Sequence, residues 1–181
     1  VIQRNMWNTA GKAGLILGSV STAYLFLTQW LIMAEMPAIL VMLINSLLWV
    51  TKFGGCLFLM VMFMKRFASE NPEADSNVIF RTGSAIAFLS ALVYAGFSFA
   101  NLSYFYPDFY AEMMDTMMQQ FASILDSNTL AEMEKYKHNQ PQMTFFSNLI
   151  YCFVYGTVLS RIITRLISGQ TRSSGYKPEE Q

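Results

Sequence analysis

Lys52 is the residue whose position most demands a chemical explanation. It lies in an apolar stretch from Pro37 to Met64 that holds no other charged side chain. An ionisable group near the centre of a bilayer costs about 2.5–3.5 kcal/mol on insertion scales, so it is expected to face a bundle interior and take a partner. No Asp or Glu lies within an apolar run to serve. Counting turns places Tyr24, Tyr94 and Tyr155 at similar depth, and a tyrosine cluster can shelter an ammonium through hydroxyls and ring faces. The chemistry open to such a site is proton or substrate handling. The plainer alternative is a lysine that snorkels or meets another subunit.

Other groupings carry less. Asp108, Glu112 and Asp115 share a helix face, but three carboxylates without a fourth ligand read as a solvated face. Glu134 and His138 have the i,i+4 spacing that can hold zinc, yet no Cys or second His is near them in sequence. Met113, Met114, Met117 and Met118 read as flexible apolar filler for a membrane surface or a partner groove. Cys56 and Cys152 sit inside apolar runs and read as small buried side chains. His138 is the single histidine, and no Ser/His/Asp set, Cys/His pair or glycine-rich phosphate loop is present. The sequence therefore points to no metal, cofactor or catalytic residue. Twelve basic and twelve acidic residues give zero net charge, against a nucleic-acid partner.

The elements that must position Lys52 are long apolar helices. Charged residues are 13% of the chain, roughly half the usual share, and apolar ones 54%. Four runs are long enough to span a bilayer, at about 13–33, 37–64, 83–105 and 143–163. The first, ending Gln29-Trp30-Leu31-Ile32-Met33, reads as an uncleaved signal anchor. The second, opening at Pro37, is long enough to need tilt or a bend, for which Gly54 and Gly55 are the natural place. Arg4, Lys12, Lys65, Arg66, Arg81, Arg161, Arg165, Arg172 and Lys177 fall on one side of a four-span arrangement; only Lys135 and Lys137 fall on the other. That bias predicts a multi-pass protein of a bacterial inner membrane with both termini cytoplasmic.

The segment 106–142 is predicted to be a periplasmic amphipathic helical hairpin. Phe109, Tyr110, Met113, Met114, Met117, Phe121, Ile124 and Leu125 recur at helical spacing, a stripe suited to a partner or to the membrane surface. Thr129 with Glu132 resembles a capping box opening a short second helix, which Pro141 is expected to stop before the fourth span. Residues 169–181 read as a flexible tail. The fold class is thus an all-α membrane protein, a four-transmembrane-helix antiparallel bundle forming one domain over 1–168. Gly14, Gly18 and Thr22 on the first span, and Gly83, Ala87, Ala91 and Ala95 on the third, form small-residue stripes along which these helices are expected to touch. Asn45, Asn101 and Asn148 are the other notable intramembrane polar residues.

Taken together, Lys12-Ala-Gly-Leu-Ile-Leu-Gly18, the link ending Lys65-Arg66 with Phe80 after it, Tyr106-Pro-Asp-Phe-Tyr110, the Met- and acid-rich hairpin and a fourth span ending in basic residues resemble a bacterial family. It is the one catalogued as Domain of Unknown Function four-one-nine-nine. The resemblance implies a small inner-membrane protein of a Gram-negative bacterium, without an assigned activity. It also implies a neighbouring membrane-associated polyprenol-phosphate glycosyltransferase as a partner. Lys52 matches no motif of that family. On this basis the leading expectation is an accessory or scaffold subunit among membrane lipids and other membrane proteins. A small transporter or lipid-binding protein using the interior around Lys52 is the alternative.

Overall fold

The computed structural model describes residues 2–34, 36–121, 124 and 126–174, with side chains up to residue 168 and excepting Ala38. Within these residues the chain is all helical, with no strand. Five α-helices follow in order: α1 (Ile2–Met33), α2 (Ala38–Glu70), α3 (Ser76–Ala100), α4 (Pro107–Phe121) and α5 (Ser127–Ser174). Four of them (α1, α2, α3 and α5) are long and apolar enough to cross a membrane.

The helix ends follow local chemistry. Pro37 has φ −53° and ψ 134°, extended backbone from which α2 begins without losing a ladder hydrogen bond to its missing N–H. The Asn71 backbone N–H and side-chain Nδ2 both donate to the Phe67 carbonyl, at 3.1 and 2.9 Å, which closes α2. Asn71 Oδ1 in turn accepts from Asn5 Nδ2 at 3.2 Å and ties α1 to this turn. Asp75 caps α3 by accepting from the Val78 N–H at 2.8 Å.

Three boundaries differ from the sequence reading. Asp126, rather than Thr129 with Glu132, caps α5: its carboxylate accepts from the Thr129 N–H at 3.1 Å. The hydroxyl and N–H of Thr129 hold the Asp126 carboxyl below its ordinary range. Pro141 does not stop the helix. It lies inside α5, so the two segments expected on either side of it form one helix of 48 residues. A proline costs one ladder bond, about 3 kcal/mol, and the long ladder on either side absorbs it. At 1.5 Å per residue α5 is roughly 70 Å long, more than twice the thickness of a bilayer's hydrocarbon core. α5 ends at Ser174; Leu125, Lys177 and the rest of 175–181 lie outside the described residues.

The third difference is a π-helical turn, Asn101–Phe105, that ends α3, where a regular span to 105 was expected. The Tyr106 N–H donates to the Asn101 carbonyl at 3.0 Å, one residue further back than in an α-helix. This wider turn buries Asn101 and Leu102.

Glycines set how closely the helices approach. A Cβ at Gly14 would stand 2.6 Å from that of Leu89, and one at Gly18 would stand 2.6 Å from that of Val93. So α1 meets α3 here, but through Leu89, Ser90 and Val93, not through the Gly83/Ala87 stripe. That stripe turns elsewhere: Ala87 meets Gly156 of α5, where a Cβ would lie 2.5 Å from the alanine's, and Gly83 lies against Ser160 and Met64. Ser160 is fully buried and donates to the Phe80 carbonyl at 3.0 Å. α3 is therefore the central helix, with α1 and α5 packed closely along it. α2 is the outlier: 11% of its most apolar stretch is buried, against 39% for α3. It holds to the others mainly through Met60, Met64 and Phe67 near one end.

Candidate functional site

Where α2 stands off from α5, a cavity of about 180 Å³ is left between α1, α2, α3 and α5. Lys52 of α2 lies in its wall. Its Nζ is 4.6 Å from the ring centroid of Tyr24 on α1 and 4.8 Å from that of Tyr94 on α3. An ammonium over an aromatic face gains about 0.5–1 kcal/mol when exposed and ~2 when desolvated. Two rings are therefore of the right size to offset an insertion cost of about 2.5–3.5 kcal/mol.

One ring of this cage is itself oriented. The Tyr24 hydroxyl donates to Asn45 Oδ1 at 3.3 Å. Asn45 lies seven residues before Lys52, two turns along the same face of α2. A single helix thus supplies both the cation and the group that turns a ring toward it. Tyr155 lines the same cavity but belongs to its aromatic rim. Trp49 stacks on Phe53 at 5.5 Å, Phe53 meets Tyr155 at 5.8 Å, and Tyr155 stacks on Tyr151 at 6.2 Å. All four rings are exposed on the outer side, between α2 and α5. Deeper in, Ser21 Oγ lies 3.8 Å from Cys56 Sγ, and Cys152 and Ser90 complete a mildly polar wall. Both cysteines are free thiols. Among the described residues Lys52 is the only charged one that lines the cavity. Asn148, also singled out in the sequence, is not in this wall.

A second polar cluster fastens α4 to the spanning helices. The Tyr110 hydroxyl donates to Gln29 Oε1 at 2.7 Å and accepts from Asn101 Nδ2 at 3.0 Å. Gln29 and Asn101 are almost fully buried. Burial pushes the Tyr110 phenol above its ordinary pKa, while the Asn101 hydrogen bond pulls the other way. Tyr110→Phe removes the one group that both amides share. Leaving buried amides unpaired costs about 1–3 kcal/mol. The expected result is faster hydrogen exchange and proteolysis of 106–126 with little change in α1–α3, read by mass spectrometry on the detergent-solubilised protein.

The remaining stripe residues divide. Tyr110 turns inward, Phe109 and Met114 are half-buried, and Met113, Met117 and Phe121 are exposed. Lys137 of α5 binds Asp115 of α4 at 2.6 Å, which takes Asp115 out of the carboxylate face. Glu134 and His138 share a hollow of about 570 Å³ with Lys137 and Tyr110. Among the described residues no three His, Cys, Asp or Glu side chains are grouped closely enough to hold a metal ion. Gln29, Gly156 and Ser160 were not singled out by sequence reasoning. Gln29 carried a signal, a polar side chain inside an apolar run; Gly156 and Ser160 carried none beyond being small.

Comparison with known proteins yields no match among curated proteins and none among solved structures. It does yield a family, described as protein of unknown function (DUF4199), whose profile matches residues 11–167. That range takes in most of α1, all of α2 to α4, the greater part of α5 and every residue of the Lys52 cavity. The chain is a member of the DUF4199 family, with four helices long and apolar enough to span a membrane.

Proposed function

We propose that this chain is a small multi-pass membrane protein that takes an anionic amphiphile from the bilayer, with Lys52 as the counter-charge. One observation carries the reading: a lysine ammonium held between two tyrosine faces, in a cavity with no carboxylate in its wall and an aromatic rim exposed between α2 and α5. A positive charge without an internal counter-ion in low dielectric favours an anion strongly. The lateral rim suits a ligand that arrives through lipid. The basic bias toward one side supports a bacterial inner-membrane location with cytoplasmic termini and a periplasmic α4–α5 hairpin.

The test is lipid extraction from the protein purified in mild detergent. An anionic amphiphile should co-purify near one per chain and fall at least tenfold in Lys52→Met, while neutral lipids stay equal. Equal retention of every anionic lipid by both proteins would refute the proposal.

A second reading, an accessory subunit beside another membrane protein, draws on the outward face of α2 and on exposed Met113, Met117 and Phe121 of α4. The family resemblance makes a membrane-associated polyprenol-phosphate glycosyltransferase its most specific partner. Co-purification at native abundance tests it, and a lone monomer would count against it.

A further inference from the structure

The chemistry of the cavity wall narrows the class of amphiphile, on the premise that Lys52 receives an anionic head. The wall holds one cation and no arginine or histidine. The lining also carries neutral donors, the hydroxyls of Ser21, Ser90, Tyr94, Tyr151 and Tyr155 and the Trp49 indole N–H, but among the described residues no second positive charge. The Tyr24 hydroxyl is engaged by Asn45, and that of Ser21 faces the Cys56 thiol. A phosphate monoester brings three terminal oxygens and up to two charges, and is met by arginine forks or several donors together. One ammonium without a second cation matches a head of single charge, as a carboxylate carries.

The space outside the cavity narrows it further. Tyr151 and Tyr155 belong to the cavity wall and also to a shallow apolar groove on the outer face of α5. Ser147, Ile150, Val154 and Val158 complete that groove. From 147 to 158 it spans roughly 17 Å along the helix, and a chain leaving at the Tyr151–Tyr155 pair follows it toward either end. The hollow beside Glu134 and His138 and the one beside Phe99 and Phe145 share no wall residue with the cavity.

We propose that the ligand is a long-chain monocarboxylate, a free fatty acid, with its carboxylate at Lys52 and its single chain crossing the Tyr151–Tyr155 pair onto the α5 groove. The experiment is equilibrium binding of radiolabelled oleate to the full chain in nanodiscs. Oleyl alcohol, oleyl phosphate and octanoate serve as competitors. Saturable binding near one oleate per chain is expected. It should be displaced by unlabelled oleate, at least tenfold less well by oleyl phosphate, and not by oleyl alcohol. Lys52→Met should abolish it. Val154→Trp fills the groove on a lipid-facing position, so folding is spared; it should weaken oleate at least fivefold and leave octanoate within twofold. Monodisperse elution confirms that each variant is folded. Tighter, Lys52-dependent binding of oleyl phosphate would overturn the carboxylate assignment and leave the Lys52 reading standing. Equal weakening of oleate and octanoate by Val154→Trp would overturn the chain track. Absence of any Lys52-dependent binding would overturn both this proposal and the functional reading beneath it.

Discussion

Lys52→Met is expected to separate stability from binding. Removing the ammonium relieves an insertion cost of about 2.5–3.5 kcal/mol. It also removes two cation–π contacts, each worth up to ~2 kcal/mol when desolvated. These terms nearly cancel, and methionine fills a similar volume with flexible apolar atoms. Thermal unfolding in detergent should therefore move little, by no more than about 1–2 kcal/mol in either direction. Affinity for an anionic amphiphile should fall far more. A hydrogen bond to a charged group is worth about 1.5–3 kcal/mol net, or roughly 10- to 150-fold. A structural lysine predicts the reverse: a large loss of stability and no ligand to lose. Lys52→Arg refines the result, because its longer, planar group moves the charge away from the position that the Lys52 ammonium holds between the two rings. It should bind weakly although the charge is kept.

Gly156→Leu is expected to have the largest effect on folding. Even a methyl group there would stand 2.5 Å from the Ala87 Cβ, a separation that real Cβ atoms do not adopt. The atoms opposite belong to a short side chain on a helical backbone, so nothing flexible can yield and α5 must move off α3. Overpacking a core costs about 1–3 kcal/mol per inserted group, and here it also separates the two helices that carry Ser160 and its hydrogen bond to Phe80. The folded yield of Gly156→Leu should collapse, and Gly156→Ala should lower thermal stability measurably. Ala87→Gly combined with Gly156→Ala should recover most of the loss, since the methyl is only moved across the contact. Gly96→Ala is the control. Nothing lies within 4 Å of a Cβ at Gly96, so that change should be neutral or mildly stabilising. If Gly156→Ala and Gly96→Ala behaved alike, close approach of α3 and α5 would not be what the glycine serves.

Both predictions rest on α3. It is the helix to which α1 and α5 hold, and its π turn sets Asn101 against Tyr110. A disturbance of α4 therefore reaches the end of α3 through the Tyr110 phenol and the Asn101 amide, and α1 through Gln29. Tyr94 lies seven residues, about two helical turns, before Asn101. The Lys52 cavity and α4 thus both contact α3.

What the sequence determined by itself was the part governed by solvent. Four apolar runs, one lysine without a carboxylate and tyrosines at matching depth follow from the cost of polar groups in hydrocarbon, which acts on each residue wherever its neighbours are. The meeting of Lys52 with Tyr24 and Tyr94 was legible because depth along parallel helix axes can be counted from residue numbers. Tyr155 at the rim was not separable from the other two, since depth says nothing about rotation around an axis. Pro141 misled for a related reason: a local rule assigns it a helix end, while the length of ladder on both sides decides otherwise. The small residues misled in direction, because spacing marks a face without naming the helix it meets. Only the tertiary structure decided that Gly14 and Gly18 take Leu89 and Val93, that Ala87 takes Gly156, and that α2 stands far enough from α5 to leave a cavity. Close approach depends on which backbone lies opposite, and that is a property of the assembled helices, not of any one of them.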